Sequence, residues 1–197
     1  MSLAKRHHKI AHRMTKFLRF EGKGFVKSDG FANIDDLIRE ISNPNSNITL
    51  EDIQLIVDNC TKQRFTIDST RIRCNQGHSI SMPVPDLETT KITLENIEEA
   101  GVCAHGTTEA ALAKIKESGK LDRMKRYHIH LAEKMPDDPE VKSGMRGSSE
   151  VVIILDVEKC LRDGIPLEKS TNGVILSTGK DDTGAIPVEY FRSIVYR

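Results

Sequence analysis

Two prolines near the middle of the chain, Pro83 and Pro85, constrain the fold more than any other local feature. Proline has no backbone N–H to donate and fixes its own φ, so neither an inner strand nor a helix continues through it. We therefore interpret residues 83–94 as a linker between two lobes. The sequence predicts a first lobe over residues 1–82 and a second lobe over residues 95–197.

The first lobe has the pattern of three helices followed by a β-hairpin. Apolar residues recur at helical spacing in three segments, and Asn33 and Thr49 precede the second and third segments as candidate N-caps. Two short runs, Arg64–Asp68 and Arg71–Cys74, then predict a hairpin. This order is typical of a winged helix, a fold often used on nucleic acid. In the first helix, Arg19 is expected opposite the apolar face and therefore outside the core.

The second lobe combines several short strands with few helices. The apolar run Val151–Leu155 predicts a buried strand, a turn at Asn172-Gly173 precedes another, and a final strand lies near Ile194. One helix is expected to end at Gly119. The mixture predicts an α+β fold and argues against the doubly wound sheet of many NAD-binding proteins.

The tripeptide His105-Gly106-Thr107 and the segment Arg126–Leu131 carry candidate binding residues. The first is predicted to turn sharply into a helix, where glycine lets a ligand approach the backbone and the helix start offers N–H groups to an anion. In the second, strand alternation places Arg126, His128 and His130 in one row, which suits an anionic ligand. An ordinary strand-to-helix turn and an exposed edge strand are the structural alternatives.

The loop Ser143–Ser149 contains glycine, serine and Arg146, so it is a candidate phosphate cradle, with an ordinary polar loop as the alternative. No metal is expected, because His128 and His130 have no carboxylate or cysteine partner nearby in the sequence. The four cysteines are widely spaced, which excludes a zinc knuckle and indicates a reducing, intracellular setting.

Charge is distributed unevenly along the chain. Lys+Arg and Asp+Glu both number 29, so the net charge gives no indication of a nucleic-acid partner. The first 27 residues, however, contain eight lysines and arginines against one glutamate, and this end would attract polyanions. A solvated helix face or a solubilising tail is the alternative.

The sequence shows no signal peptide and no membrane-spanning run, so we expect the protein in the cytoplasm, or in the nucleus of a eukaryote. We also expect a monomer.

Four motifs occur in order along the chain, and together they resemble those of the NAD-dependent RNA 2'-phosphotransferases, which remove a splice-junction 2'-phosphate from tRNA. The motifs are Lys62-Gln63-Arg64-Phe65, Gln76-Gly77-His78-Ser79, His105-Gly106-Thr107 and His128-Ile129-His130-Leu131. The similarity extends from Ile10 to about Val188 and so covers nearly the whole chain.

The resemblance implies a winged-helix RNA-binding lobe, an ADP-ribosyltransferase-like lobe that binds NAD as co-substrate, and no metal. It also implies a two-step reaction on an RNA partner, most simply a tRNA. The RNA 2'-phosphate attacks the anomeric carbon of the nicotinamide ribose and expels nicotinamide. The 2''-hydroxyl of that ribose then attacks phosphorus, which gives RNA with a free 2'-OH and ADP-ribose 1'',2''-cyclic phosphate.

By motif, the resemblance assigns catalytic roles to Arg19, Arg64 and Arg126, whose forked guanidinium groups suit a phosphate. It assigns NAD contacts to His105, Gly106, Thr107, His130 and His128. Lys16 and Ser79 are assigned to RNA binding together with Arg19 and Arg64.

At one position the chain departs from the family. The family pattern Leu-Arg-His reads Leu18-Arg19-Phe20, so a phenylalanine stands where a catalytic histidine is expected. Phenylalanine cannot donate a hydrogen bond or move a proton, and packing against the first helix is its alternative role. We therefore expect a working but slower enzyme.

Two other functions remain open. One is an ADP-ribosyltransferase that modifies nucleic-acid phosphates and stops after the first step, and a persistent adduct would identify it. The other is a winged-helix nucleic-acid binder without catalysis, which would bind without consuming NAD.

Overall fold

The computed structural model of the protein describes residues 2–44, 47–83, 86–136, 138, 145 and 148–197. The chain forms two compact units, Met1–Leu87 and Glu88–Arg197. Both units combine helices with antiparallel strands, which confirms the predicted α+β class.

The first unit packs three helices on a small sheet. Its elements are α1 (Leu3–Lys16), a π-helical turn (Phe17–Glu21), β1 (Phe31–Asn33), α2 (Ile34–Ile41), α3 (Leu50–Asp58), β2 (Phe65–Asp68) and β3 (Arg71–Cys74). The sheet order is β1-β3-β2, and all pairs are antiparallel. The hairpin of β2 and β3 was predicted, whereas β1, only three residues long, was not. Ile10, Met14 and Leu18 are among the fully buried side chains of this core.

The predicted N-caps of α2 and α3 are confirmed. Asn33 Oδ1 accepts a hydrogen bond from the backbone N–H of Asp35 at 2.8 Å. At α3, Thr49 Oγ1 accepts from the N–H of Asp52, and the Asp52 carboxylate accepts from the N–H of Thr49, which completes a capping box. Local hydrogen bonding therefore fixes where both helices begin.

The Asp52 carboxylate also joins α3 to α1. Its Oδ2 accepts from Arg6 Nη2 at 2.7 Å, and its Oδ1 accepts from Arg6 Nη1. The hydrogen bond from Arg6 holds the pKa of Asp52 well below its ordinary value. The stabilisation is therefore fully present above the carboxyl pKa of the unfolded chain and is lost as the pH falls below it.

Asp52→Ala is expected to lower the free energy of unfolding by about 2 kcal/mol at pH 7, because it removes a helix cap and a charged hydrogen bond. Urea unfolding at pH 7 and pH 2.5 measures this, and the difference from the wild type should shrink at the lower pH. Asp36→Ala is the control, since the Asp36 carboxylate forms an exposed ion pair with Arg39. An equal loss at both pH values would contradict the assigned role of the Asp52 charge.

The second unit is built on a seven-stranded antiparallel sheet of order β12-β8-β5-β7-β10-β9-β4. These strands are β4 (Thr89–Lys91), β5 (Ala104–Thr107), β7 (Ile129–Ala132), β8 (Val151–Leu155), β9 (Glu168–Ser170), β10 (Val174–Ser177) and β12 (Phe191–Tyr196). A separate pair consists of β6 (Lys120–Asp122) and β11 (Ala185–Pro187). The helices are α4 (Glu109–Ser118) and α5 (Val157–Arg162).

Several predictions for this unit are confirmed. Strand β8 is buried along most of its length, and the left-handed residue Gly119, with φ of 70°, ends α4. The linker over residues 83–94 stays a prediction; the first unit ends at Leu87 and the second begins at Glu88. The second half of that segment is ordered as β4, which pairs with β9, and Ile92 is buried in the core. None of the helices in the described ranges has the length and apolar character needed to span a bilayer.

Candidate active site

Arg19 lies in the π-helical turn that continues α1. A π turn has one more residue than an α turn, so the side chains after Lys16 are rotated from the positions that an uninterrupted helix predicts. Arg19 is consequently half-buried rather than outside the core, contrary to expectation. A methyl group on Gly77 would lie 3.1 Å from both Cζ and Nε of Arg19. The guanidinium group therefore lies directly against the Gly77 backbone.

The Arg19 side chain retains unused hydrogen-bonding capacity. Its Nε is buried and has no hydrogen-bond partner among the residues that the structure describes. Its backbone carbonyl accepts from the N–H of Ser79 at 2.9 Å. A buried donor of this kind is costly unless a partner is supplied, and an anion is a suitable partner.

Arg64 directly precedes β2, beside the residue that follows β3. Burial raises the pKa of the Cys74 thiol, and the positive charges of Arg19 and Arg64 both oppose that rise. Both guanidinium groups are thus close to the same buried sulfur. The backbone N–H and Nη1 of Arg64 donate to Cys60 Sγ at 3.4 and 3.7 Å. The structure brings two of the three predicted catalytic arginines together in the first unit.

Asn75 positions the backbone at Arg64, a role that the sequence analysis missed. Its N–H donates to the Arg64 carbonyl at 2.9 Å, and its Nδ2 donates to the Gln63 carbonyl at 2.8 Å. Its Oδ1 accepts from Thr66 Oγ1 at 2.6 Å. An asparagine directly after a strand is a frequent turn residue, so its presence there gave only a weak signal.

The polar segment from Asn75 to Ser79 is buried although it forms no regular strand. Gln76 is only 4% exposed, and its Oε1 has no hydrogen-bond partner in the described part of the chain. Ser79, predicted to contact RNA, is also buried, and its Oγ lies 2.9 Å from Ser81 Oγ. Buried polar groups on a loop are typical of binding sites, because a loop with no such role usually remains solvated.

Two other residues of the first unit, Lys16 and Phe20, are exposed to solvent, unlike the buried segment from Asn75 to Ser79. Lys16 is exposed and forms an ion pair with Glu21 at 2.5 Å. Phe20, which stands at the position of the expected histidine, is 41% exposed. Phe20 is therefore a surface residue and does not belong to the core against which the first helix packs, so the alternative role of packing is not supported.

His105, Gly106 and Thr107 lie within β5 and do not form the predicted turn. Gly106 and Thr107 pair with Val152 and Val151 of β8, so the backbone of this tripeptide belongs to the sheet. The helix begins only after Thr108, whose Oγ1 caps α4. Nor is the start of that helix available as an anion site, since the N–H of Glu109 donates to Glu150 Oε2 at 3.0 Å.

The space that a side chain on Gly106 would occupy is already filled by neighbouring side chains. A Cβ at this position would collide with Met145 Cγ and with Ser149 Oγ. Met145, Ser148 and Ser149 are the described part of the predicted phosphate loop, whose other residues lie outside the described ranges. Only glycine allows the sheet and these two side chains to approach so closely.

His105 and His130 are adjacent in the second unit. His105 Nδ1 donates to the backbone carbonyl of His130 at 3.0 Å, which leaves Nε2 as the acceptor atom of a neutral ring. Burial lowers the pKa of His105. Burial likewise lowers the pKa of His128, although Glu168 opposes the change. Both rings are therefore neutral near pH 7 and suit hydroxyl groups better than anions.

The predicted row of Arg126, His128 and His130 does not form. Strand β7 begins at Ile129, and only His130 of the three lies in it. Arg126 lies in the preceding turn, where its N–H donates to the Arg123 carbonyl at 3.2 Å. Strand alternation holds only within the strand, so it was wrongly extended to the residues before it.

The sequence is similar to one family over most of its length. The sequence model of the RNA 2'-phosphotransferase, Tpt1 / KptA family matches residues 5–179. The tRNA 2'-phosphotransferase 1 of Bos taurus is 39% identical over 172 residues, which cover 84% of this chain and 65% of the bovine protein. The tRNA 2'-phosphotransferase of Saccharomyces cerevisiae is 33% identical, with coverage of 87% and 75%. A probable RNA 2'-phosphotransferase of Rhizobium leguminosarum bv. trifolii is 28% identical, with 96% of both chains covered. The chain thus spans about two thirds of the length of the bovine relative.

Proposed function

Because the chain belongs to the RNA 2'-phosphotransferase, Tpt1 / KptA family, we propose that it removes an internal 2'-phosphate from RNA, with tRNA as the substrate and NAD as the phosphate acceptor. The observation that carries the proposal is the placement of Arg19. Its guanidinium group lies against Gly77, near Arg64, with a buried donor that has no partner among the described residues. Such a pair of forked cations suits a dianionic phosphate.

The architecture supports finer assignments for the two units. We propose that the first unit is a winged-helix RNA-binding lobe, since three helices and a β2–β3 hairpin follow in the expected order. We propose that the second unit is an ADP-ribosyltransferase-like lobe, since its antiparallel sheet has few helices and no doubly wound arrangement.

In the first unit, Arg19 and Arg64 would hold the phosphate oxygens and stabilise the charge that develops on them. Preorganised donors act in this way without reorganisation during the reaction. Asn75 donates hydrogen bonds to the backbone carbonyls of Gln63 and Arg64, so it would act as a positioning residue. Arg126 remains a proposed third catalytic arginine on the family pattern alone.

In the second unit, the chemistry of the side chains fits a dinucleotide. The neutral His105 ring presents Nε2 as an acceptor for a ribose hydroxyl, and its Nδ1 bond to the His130 carbonyl fixes its orientation. His128, Thr107 and His130 offer further polar groups. When bound, NAD would supply an electrophilic anomeric carbon and a ribose hydroxyl.

The test is incubation of the purified protein with NAD and an oligonucleotide that carries one internal 2'-phosphate. We expect nicotinamide, RNA with a free 2'-OH, and ADP-ribose 1'',2''-cyclic phosphate. Accumulation of an ADP-ribosylated RNA would instead favour the ADP-ribosyltransferase function, which the surface position of Phe20 makes a specific second candidate. Absence of nicotinamide release would contradict both enzymatic functions and leave a nucleic-acid binder.

Phe20→His is expected to raise the turnover rate by about 10², because general acid–base catalysis typically contributes roughly 10²–10⁴. Phe20 is 41% exposed, so the substitution removes little core packing. Leu50→His is the control, since it adds a histidine at an apolar position of the first unit that is 58% exposed. Equal turnover rates for the wild type and Phe20→His would contradict this prediction and show that a histidine at position 20 does not contribute to catalysis in this protein.

A further inference from the structure

We propose that the solvent-facing side of α1 is an additional RNA-contact surface that binds the phosphodiester backbone of the substrate. This surface, the α1 basic stripe, consists of Lys5, Lys9, His12 and Lys16. The inference rests on the proposed function, because it takes RNA as the ligand. It adds a contact with the nucleotides that flank the 2'-phosphate.

The stripe is continuous along the helix. Its residues follow at i, i+4, i+7 and i+11, which places them on one side of an α-helix. All four are exposed, whereas Ile10 and Met14 are buried on the opposite side. Lys5 and Lys16 are separated by about 16 Å along the axis, the length of four to five nucleotides in a stacked strand. Arg19 follows Lys16 by three residues in the chain, in the π-helical turn that continues the helix.

Helix stability does not explain this pattern. Acidic residues stabilise the first turn of a helix through the macrodipole, but α1 has none there, and Lys5 and Arg6 occupy the turn instead. Lys5 and Lys9 are also like charges at i and i+4, which repel each other. A polyanion along the stripe would relieve both unfavourable interactions.

The positive charges of the stripe are only partly neutralised within the protein. Lys16 pairs with Glu21, and Asp52 is engaged by Arg6 on a different side of the helix. Lys5 and Lys9 form no ion pair with any described residue. The whole chain has no net charge, so this helix is a local positive surface on an otherwise balanced protein.

The experiment compares the wild type with Lys5→Ala/Lys9→Ala. Fluorescence anisotropy measures the affinity for a 12-nucleotide RNA with a central 2'-phosphate, at several salt concentrations. We expect the double variant to lose roughly 5-fold in affinity for each lysine at about 0.1 M salt, and the salt slope to fall by about 0.7 per lysine. Turnover of a 2'-phosphorylated dinucleotide should be unchanged, since the dinucleotide is too short to follow the stripe.

Lys91→Ala/Lys114→Ala is the matched control, because both lysines are exposed and lie in the second unit. An equal loss of RNA affinity in the control, or none in the stripe variant, would overturn the inference. Thermal unfolding checks that the stripe variant remains folded, and relief of the lysine repulsion should leave its melting temperature unchanged or higher. If the wild type turned over neither the 12-nucleotide RNA nor the dinucleotide, the proposed function would fail, but the binding comparison would still decide the role of the stripe.

Discussion

Arg19→Ala is expected to lower the turnover of a 2'-phosphorylated RNA by about 10²–10³, the usual effect of removing one preorganised donor from a charged transition state. The side chain is held against Gly77, with Nε buried. Arg19→Lys should also lose most of the activity. An ammonium group keeps the charge but lacks the planar fork that contacts two phosphate oxygens.

Steady-state kinetics with the 2'-phosphorylated oligonucleotide measures the effect, and thermal unfolding shows whether the variants fold. Arg39→Ala is the control because it removes an equal charge from the surface of the same unit, where Arg39 pairs with Asp36 at 2.6 Å. Unchanged turnover in Arg19→Ala would remove this residue from the catalytic set. A large fall in melting temperature would instead assign the loss of activity to folding.

Gly106→Ala is the second change for which we expect a large effect, a loss of at least about 10² in NAD-dependent turnover. The new Cβ would collide with Met145 and Ser149, so the strand or the two side chains must move. Overpacking of this kind typically costs about 1–3 kcal/mol, and displacement of β5 would misplace His105 beside it. The KM for NAD and the melting temperature are the two readouts.

A double-mutant cycle with Met145→Ala tests the cause. Met145→Ala removes the Cγ and Sδ atoms that a Cβ at 106 would meet, so it should partly rescue Gly106→Ala. Additive effects of the two substitutions would contradict the steric explanation. Rescue of stability without rescue of activity would show that the glycine is needed for more than packing.

The parts of the fold that depend on local chemistry were predictable from the sequence. Asn33 and Thr49 cap their helices through side-chain atoms two or three residues from the N–H groups they bind. Gly119 adopts the left-handed conformation at a helix end for similarly local reasons. The apolar run of β8 is buried because no other environment suits five such residues in succession.

The parts that depend on distant partners were not predictable in this way. His105-Gly106-Thr107 was taken for a turn because its strand character depends on β8, some 45 residues later. Strand β1 exists only through its pairing with β3. The arginines of the site were found by resemblance to a family, since no periodicity in the sequence places Arg19 near Arg64.

The π-helical turn has a consequence for insertions and deletions. The placement of Arg19 on Gly77 depends on the number of residues between Met14 and Gly22 more than on their identity. Removal of one residue from this turn would restore an α-helix and change the direction in which the Arg19 side chain points. Substitutions at its exposed positions should therefore be tolerated, whereas a shift in length by a single residue would separate the arginine from the glycine beneath it.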